Sequence, residues 1–226
     1  MKVLLIIPAY NEEGSLARTI TELRECGAPV DFLVINDGST DSTATICREN
    51  NYPFLDLPVN LGLAGAFQAG MKYAYKHDYD CAIQFDADGQ HRPEYITKLA
   101  EATEEYDIVI GSRFVNEKKP FTLRMLGSWL ITKAIKLTTG TTIKDPTSGM
   151  RAFNSNMIKK FATGLNYSPE PDTISFLIKK YGATICEMPV QMQERIAGES
   201  YLNLSKSIAY MTKMAISILF IQFFRK

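Results

Sequence analysis

Apolar runs of four or five residues, each followed by a polar loop, set the rhythm of the first half of the chain. Val3-Leu4-Leu5-Ile6-Ile7 reads as a buried strand ended by Pro8, which has no N–H to give to a ladder. Phe32-Leu33-Val34-Ile35 is a second run, residues 54–57 a weaker third, Cys81-Ala82-Ile83-Gln84-Phe85 a fourth and Asp107-Ile108-Val109-Ile110-Gly111 a fifth. Helical spacing fills the intervals. Leu16, Ile20 and Leu23 share one face after a capping Ser15, a helix runs to about Lys76, and Pro93 opens another. Strand and helix alternating through short loops predict an α/β fold, a parallel sheet covered on both faces.

Beyond Gly111 the rhythm changes. Residues 123–137 read as a helix with Met125, Leu126, Trp129, Leu130 and Ile131 on its apolar side and Lys133 and Lys136 flanking it. Asp145-Pro146-Thr147-Ser148-Gly149-Met150-Arg151 is turn-rich, Asn154 caps a helix to about Ala162, and residues 184–190 look like a late strand. Residues 194–200 read as a mobile loop. Residues 204–224 read as one helix that ends almost entirely apolar, with Lys206 and Lys213 interrupting it too early for a membrane span of about 20 residues. That tail suits a membrane interface, a core-packed helix or a partner surface. Residues 1–200 are therefore expected to be one domain, and 201–226 an amphipathic C-terminal appendage.

The polar loops carry the candidate chemistry. Asp86-Ala87-Asp88-Gly89-Gln90-His91 follows the fourth run, so two carboxylates leave one sheet edge together. Crowded carboxylate oxygens repel unless a cation sits between them, and hard oxygen ligands suit Mg²⁺ or Mn²⁺ completed by a substrate's phosphates. Ala9-Tyr10-Asn11-Glu12 and Asn36-Asp37-Gly38-Ser39-Thr40-Asp41 follow two other strands, so all three loops gather where open α/β sheets bind ligands. Neither G-x-G-x-x-G nor G-x-x-x-x-G-K-[ST] occurs, which removes the usual warrant for a dinucleotide or P-loop site.

Charge and cysteine usage narrow the classes. With 25 basic and 25 acidic residues the total gives no reason to expect a nucleic-acid partner. The distribution is uneven: no acid follows Glu199, and Glu117 is the only acid between Arg113 and Lys136, so the second half faces something anionic. Cys26, Cys47, Cys81 and Cys186 lack C-x-x-C pairing and read as free thiols of a reducing compartment. The first residues lack the length and cleavage site of a signal peptide, which places the expected location in the cytoplasm.

The segments Pro8-Ala9-Tyr10-Asn11-Glu12, Asn36 to Asp41, Asn60-Leu61-Gly62, Asp86 to His91 and Gly111-Ser112-Arg113-Phe114 together resemble family 2 glycosyltransferases of the GT-A fold. Asp145 to Phe153 looks like the branch of dolichyl-phosphate mannose synthase and bacterial polyprenyl-phosphate glycosyltransferases. The resemblance implies that Pro8, Ala9, Tyr10, Glu12, Asp37, Asp86 and Ala87 hold a UDP- or GDP-linked sugar. It implies that Asp86, Asp88 and Gln90 hold Mg²⁺ or Mn²⁺, and that Arg113, Ser148 and Arg151 border the acceptor. Asp88, Asp145, Arg113 and Arg195 would carry the chemistry, Arg195 closing over the diphosphate. The long transmembrane segments of many branch members are absent here.

The expected activity is metal-dependent inverting transfer of a hexose to a polyprenyl phosphate, by a protein peripheral on the inner face of the cell membrane. One alternative keeps the donor and uses a hydroxyl of a growing polysaccharide or glycolipid, with Asp145 as base. Another is a non-catalytic subunit that binds nucleotide-sugar beside a membrane partner. A small membrane protein partner or a homo-oligomer remains compatible with the tail.

Overall fold

The computed structural model describes residues 1–117, 119, 122–164, 167–193 and 204–220. One seven-stranded sheet organises them: β1 (Val3–Ala9), β2 (Asp31–Asn36), β3 (Phe54–Asp56), β4 (Cys81–Gln84), β5 (Ile108–Ser112), β6 (Arg151–Asn154) and β7 (Ile185–Pro189). The spatial order is β3-β2-β1-β4-β6-β5-β7. All neighbours pair in parallel except at β6, which runs antiparallel to both β4 and β5. The sheet is thus mostly parallel, with one antiparallel strand inserted. β6 lies inside the segment whose turn residues dominate the sequence, and four residues opening on an arginine show no strand period.

The helices are α1 (Leu16–Cys26), α2 (Thr43–Glu49), α3 (Gly62–Lys76), α4 (Ile96–Ala102), α5 (Leu123–Thr139), α6 (Ser155–Thr163), α7 (Pro171–Tyr181) and α8 (Leu204–Leu219). A 3₁₀ turn over Pro93–Tyr95 leads into α4. β1 shows why two helical layers are needed. Its Val3, Leu5 and Ile7 join Leu16, Ile20, Leu23, Cys47, Ile96 and Leu99 in one core. Its Leu4 and Ile6 face the opposite core, with Phe67 and Met71 of α3, Ile131 of α5, Phe161 of α6 and Met214 of α8. Alternate side chains of one apolar strand feed both layers, which is why such strands are continuously hydrophobic.

Several local expectations change. Ser15 does not cap α1; its hydroxyl donates to the Glu12 carboxylate at 2.5 Å. α3 begins at Gly62, inside what reads as loop, because Gly62 takes a left-handed φ of 72° that only glycine adopts freely. α7 was not anticipated, although Pro171 at its start and left-handed Gly182 at its end are ordinary helix signals. On α5 the residues that meet the core are Ile131, Ala134 and Ile135, while Leu126, Trp129 and Leu130 are exposed. α8 packs beside α5 and α7 with Met211, Met214 and Ile218 buried, and Gly127 allows the close crossing at Met211. Among the described residues no helix is long and apolar enough to cross a membrane.

Candidate active site

β1 is flanked by β2 on one side and β4 on the other, so the strand order reverses there and a crevice opens beyond the carboxyl ends. The crevice holds a cavity of about 390 Å³. Pro8, Ala9, Tyr10 and Glu12 line it after β1, Asp37 after β2, and Asp86, Ala87 and Asp88 after β4. The start of α3 closes the remaining wall with Asn60, Gly62, Leu63 and Ala66.

The loops are tied to each other rather than merely adjacent. Asn11, in a left-handed conformation with φ 56°, accepts from Thr40 N at 2.8 Å and donates its own N–H to Ser39 Oγ at 3.0 Å. Glu12 N donates to Thr43 Oγ1 at 2.9 Å, and Glu13 N to Asp41 Oδ2 at 3.1 Å. Burial alone raises the Asp41 pKa, but hydrogen bonds from Thr43 and the Glu13 amide outweigh it and hold the carboxyl below its ordinary 3.8. Asp37 is buried and accepts Leu61 N at 2.7 Å, which draws the Asn60-Leu61-Gly62 segment over the cavity. Gly38 is glycine because a Cβ there would lie 2.7 Å from the backbone of Val59 and Asn60.

The fourth strand delivers the carboxylates. Gly89 turns the chain with φ 77°, and the Asp88 Oδ1 accepts Gln90 N at 3.0 Å. Asp88 is buried, whereas Asp86 keeps 35 % of its side chain open. His91 braces the turn: its Nδ1 accepts Asp86 N at 2.9 Å, leaving the proton on Nε2, which faces Asp86 Oδ2 at 3.5 Å. Gln84 Nε2 donates to Asp86 Oδ1 at 3.1 Å, and the Oε1 of the same amide is buried without a partner. Among the described residues no three His, Cys, Asp or Glu side chains cluster as a closed metal cage. Two carboxylates in the wall of an open cavity fit instead an ion that takes its remaining ligands from phosphate and water.

A second network stands behind this wall. Asp145 is fully buried and grips Arg113, accepting Nε at 2.7 Å, Nη2 at 2.8 Å and the backbone N–H at 3.1 Å. Glu187 of β7 accepts the Lys144 and Asp145 amides at 2.7 Å and 2.8 Å, fixing that loop from below. Ser148 is buried and donates to Gly111 O at 2.5 Å. Arg151 is only 2 % exposed; its Nη2 donates to Pro146 O at 2.6 Å, and its Nη1 donates to Pro169 O. Burial lowers the Arg151 pKa from its ordinary value, and nearby Tyr210 and Asp145 oppose that shift. Arg151 and Ser148 thus knit the loop from within, while Arg113 retains partial exposure.

Gly149 joins the two networks, since a Cβ there would lie 2.5 Å from Asp86 Oδ2. Sequence reasoning missed Glu187 and the contact at Gly149. A lone acid in a late strand and a glycine among turn residues carry no signal of what they touch. Arg195 lies outside the described residues.

A GT-A sheet with a nucleotide-sized crevice and paired strand-end carboxylates defines the glycosyltransferase class. The chain belongs to Glycosyl transferase family 2, whose pattern matches residues 4–161. It is 33% identical over 215 residues to the undecaprenyl-phosphate mannosyltransferase of Micrococcus luteus, covering 90% of this chain and 88% of that one. It is 27% identical to the polyprenol monophosphomannose synthase of Mycolicibacterium smegmatis, covering 95% and 86%. Among solved structures, glucosyl-3-phosphoglycerate synthase from Mycobacterium tuberculosis with Mn²⁺, UDP-glucose and phosphoglyceric acid superposes with a TM-score of 0.69. That match has 17% identity and covers 100% of this chain and 80% of that one. It carries the fold.

Proposed function

We propose that this protein transfers a hexose from a nucleotide diphosphate sugar to a polyprenyl phosphate, with Mg²⁺ or Mn²⁺ at Asp86, Asp88 and Gln90. The observation that carries the reading is the convergence of the β1, β2 and β4 loops on one cavity with both carboxylates in its wall. Asp37, Tyr10 and Glu12 line the part of that cavity that suits the nucleoside, and Asp86 and Asp88 the part that suits the diphosphate. The bound cation supplies electrostatic stabilisation of the leaving diphosphate. Asp88 and Asp86 are held for that task by Gln90 N, Gln84 and His91. Arg113, aimed by Asp145, offers a guanidinium to an anionic acceptor.

Two features of the same geometry support a phosphate acceptor. A phosphate monoester is ionised at neutral pH and needs no general base, whereas a hydroxyl needs one. Asp145, the later carboxylate of the motif, already spends both oxygens on Arg113. The names of the M. luteus and M. smegmatis relatives agree with a lipid phosphate. The solved structures favour the alternative of a non-prenyl acceptor, since the M. tuberculosis enzyme holds phosphoglyceric acid, and no described helix is built to span a membrane.

The test incubates the protein with UDP- and GDP-sugars, Mn²⁺ and either undecaprenyl phosphate or hydroxyl acceptors. UDP-glucose goes first because the solved neighbour holds it. Lipid-linked sugar as the product supports the reading, with Asp145→Asn reducing turnover mildly through a loosened Arg113. Transfer only to hydroxyls, abolished by Asp145→Asn, establishes the alternative.

A further inference from the structure

Two buried polar atoms without partners stand on paired residues. Gln84 of β4 and Arg151 of β6 lie directly opposite each other in the antiparallel register. Two residues away on each strand, Ala82 and Phe153 feed the core beneath α3, α5 and α6, so Gln84 and Arg151 project into that same layer. Opposed residues of antiparallel strands place their Cβ atoms about 5 Å apart. Both residues are only 2 % exposed. Arg151 Nε and Gln84 Oε1 are each buried with no hydrogen-bond partner, a condition shared among the described residues by Arg92 Nε alone.

The two atoms are complementary. Nε–H is a donor with nothing to give to, and Oε1 is an acceptor with nothing to accept. Each carries a desolvation cost that one shared water removes, by accepting from Nε and donating to Oε1. The rest of each group is already committed. Arg151 gives Nη1 to Pro169 O and Nη2 to Pro146 O, which fixes the plane of its guanidinium. Gln84 gives Nε2 to Asp86 Oδ1 at 3.1 Å. An ionised carboxylate only accepts, so the amide keeps its nitrogen toward Asp86 and its oxygen away from it.

We propose that Arg151 is a positioning residue for the Asp86 carboxylate, acting through one water that joins its Nε to Gln84 Oε1. The contacts then run from Pro146 and Pro169 through the guanidinium and the amide to a carboxylate in the cavity wall. The effect is on orientation. The terminal torsion of glutamine is soft and roughly two-fold, so an amide bonded at one end only is free to swing. Bonded at both ends, it fixes Asp86 Oδ1 while Oδ2 faces His91 Nε2 at 3.5 Å. It also keeps the amide oxygen, itself a hard ligand, from competing for the cation. Burial lowers the Arg151 pKa and Tyr210, Asp145, Glu170 and Asp86 oppose that shift, which places Asp86 within electrostatic reach of the guanidinium. The proposal rests on the reading of Asp86 as a metal-holding carboxylate.

Mn²⁺ binding is measured by electron paramagnetic resonance of the free ion, in separate titrations with UDP and with GDP and without acceptor, so that no turnover is read. Gln84→Met removes the amide at nearly constant volume and leaves the Arg151 bonds to both prolines intact. It should weaken Mn²⁺ binding by about 10-fold or more, as loss of the group behind a metal ligand commonly does. Nucleotide binding without metal should not change, because Tyr10, Glu12 and Asp37 follow β1 and β2 rather than β4. Arg151→Lys keeps the charge and loses Nε; its effect should match, and the double variant should bind no more weakly than the weaker single, since both act along one path. Losses that multiply in the double variant overturn the proposal. Where Arg151→Lys fails to fold, a high-resolution crystal structure of the wild type decides: density bonded to both Nε and Oε1 supports the relay, and either atom bonded to another group overturns it. An Arg151 that merely staples two loops predicts unchanged Mn²⁺ affinity in Gln84→Met, and that result overturns this proposal alone. A folded wild type that binds no Mn²⁺ with either nucleotide overturns the metal reading and this proposal together.

Discussion

Replacing Gly149 by alanine tests whether the Asp145–Arg151 loop and the carboxylate pair form one machine. The added Cβ would lie 2.5 Å from Asp86 Oδ2 and 3.2 Å from Cε1 and Nε2 of His91. An ordinary contact is about 3.5 Å, so the Asp86 oxygen must retreat by roughly 1 Å. Gly149 has no left-handed φ, so alanine brings no backbone strain of its own. The obstacle is the end of a short, partly exposed side chain, and the expected stability loss is modest, about 1–2 kcal/mol.

Activity should suffer far more than stability. Mg²⁺ and Mn²⁺ tolerate little error in ligand position, and a misplacement of about 1 Å costs on the order of 100-fold in rate. Initial rates across a Mn²⁺ titration, with the melting temperature of the same samples, separate the two effects. Gly111→Ala is the control, since its Cβ would meet Val190 at 3.0 Å, away from Asp86. It should lower the melting temperature without shifting the Mn²⁺ midpoint. A Gly149→Ala enzyme within about threefold of wild type, with an unchanged Mn²⁺ midpoint, would refute the proposed coupling.

Asp88→Asn should lower Mn²⁺-supported turnover by about 1000-fold or more and abolish the Mn²⁺ dependence of UDP binding, read by calorimetry. Asp107 joins β5, β6 and β7 by accepting Thr184 N at 3.0 Å and Asn154 Nδ2 at 2.9 Å. Burial raises its pKa, but those bonds outweigh burial and leave it below the ordinary 3.8. The stability it contributes is therefore present above that value and lost as pH falls through the lower folded one. The melting-temperature gap between wild type and Asp107→Asn should be widest near neutrality and close in acid; a gap that grows in acid contradicts the assignment. Burial pushes the Cys47 and Cys81 thiols up to about 11 and about 12, while Cys26 is exposed. Alkylation read by mass spectrometry should label Cys26 in the native protein, and Cys47 and Cys81 only after unfolding.

Much of this was legible in residue order alone, because strands buried on both faces must be continuously apolar and their loops must then emerge at one edge. The runs around Val34 and Ile83, and the place of Asp86 and Asp88 just beyond a strand end, could be read from neighbours in the chain. The tertiary structure decided whatever depends on partners distant in sequence. β6 is a strand because its backbone groups pair with β4 and β5, and nothing within Arg151-Ala152-Phe153-Asn154 states that. Asp145 is an anchor for Arg113, and Glu187 an anchor for Asp145, through contacts spanning more than thirty and forty residues. The two faces of α5 look alike in composition. Only the arrival of the core and of α8 on one side left the leucines and tryptophan of the other in water. Periodicity is local and survives in a one-dimensional record; burial is a property of what packs from elsewhere, and that exists only once the chain has closed on itself.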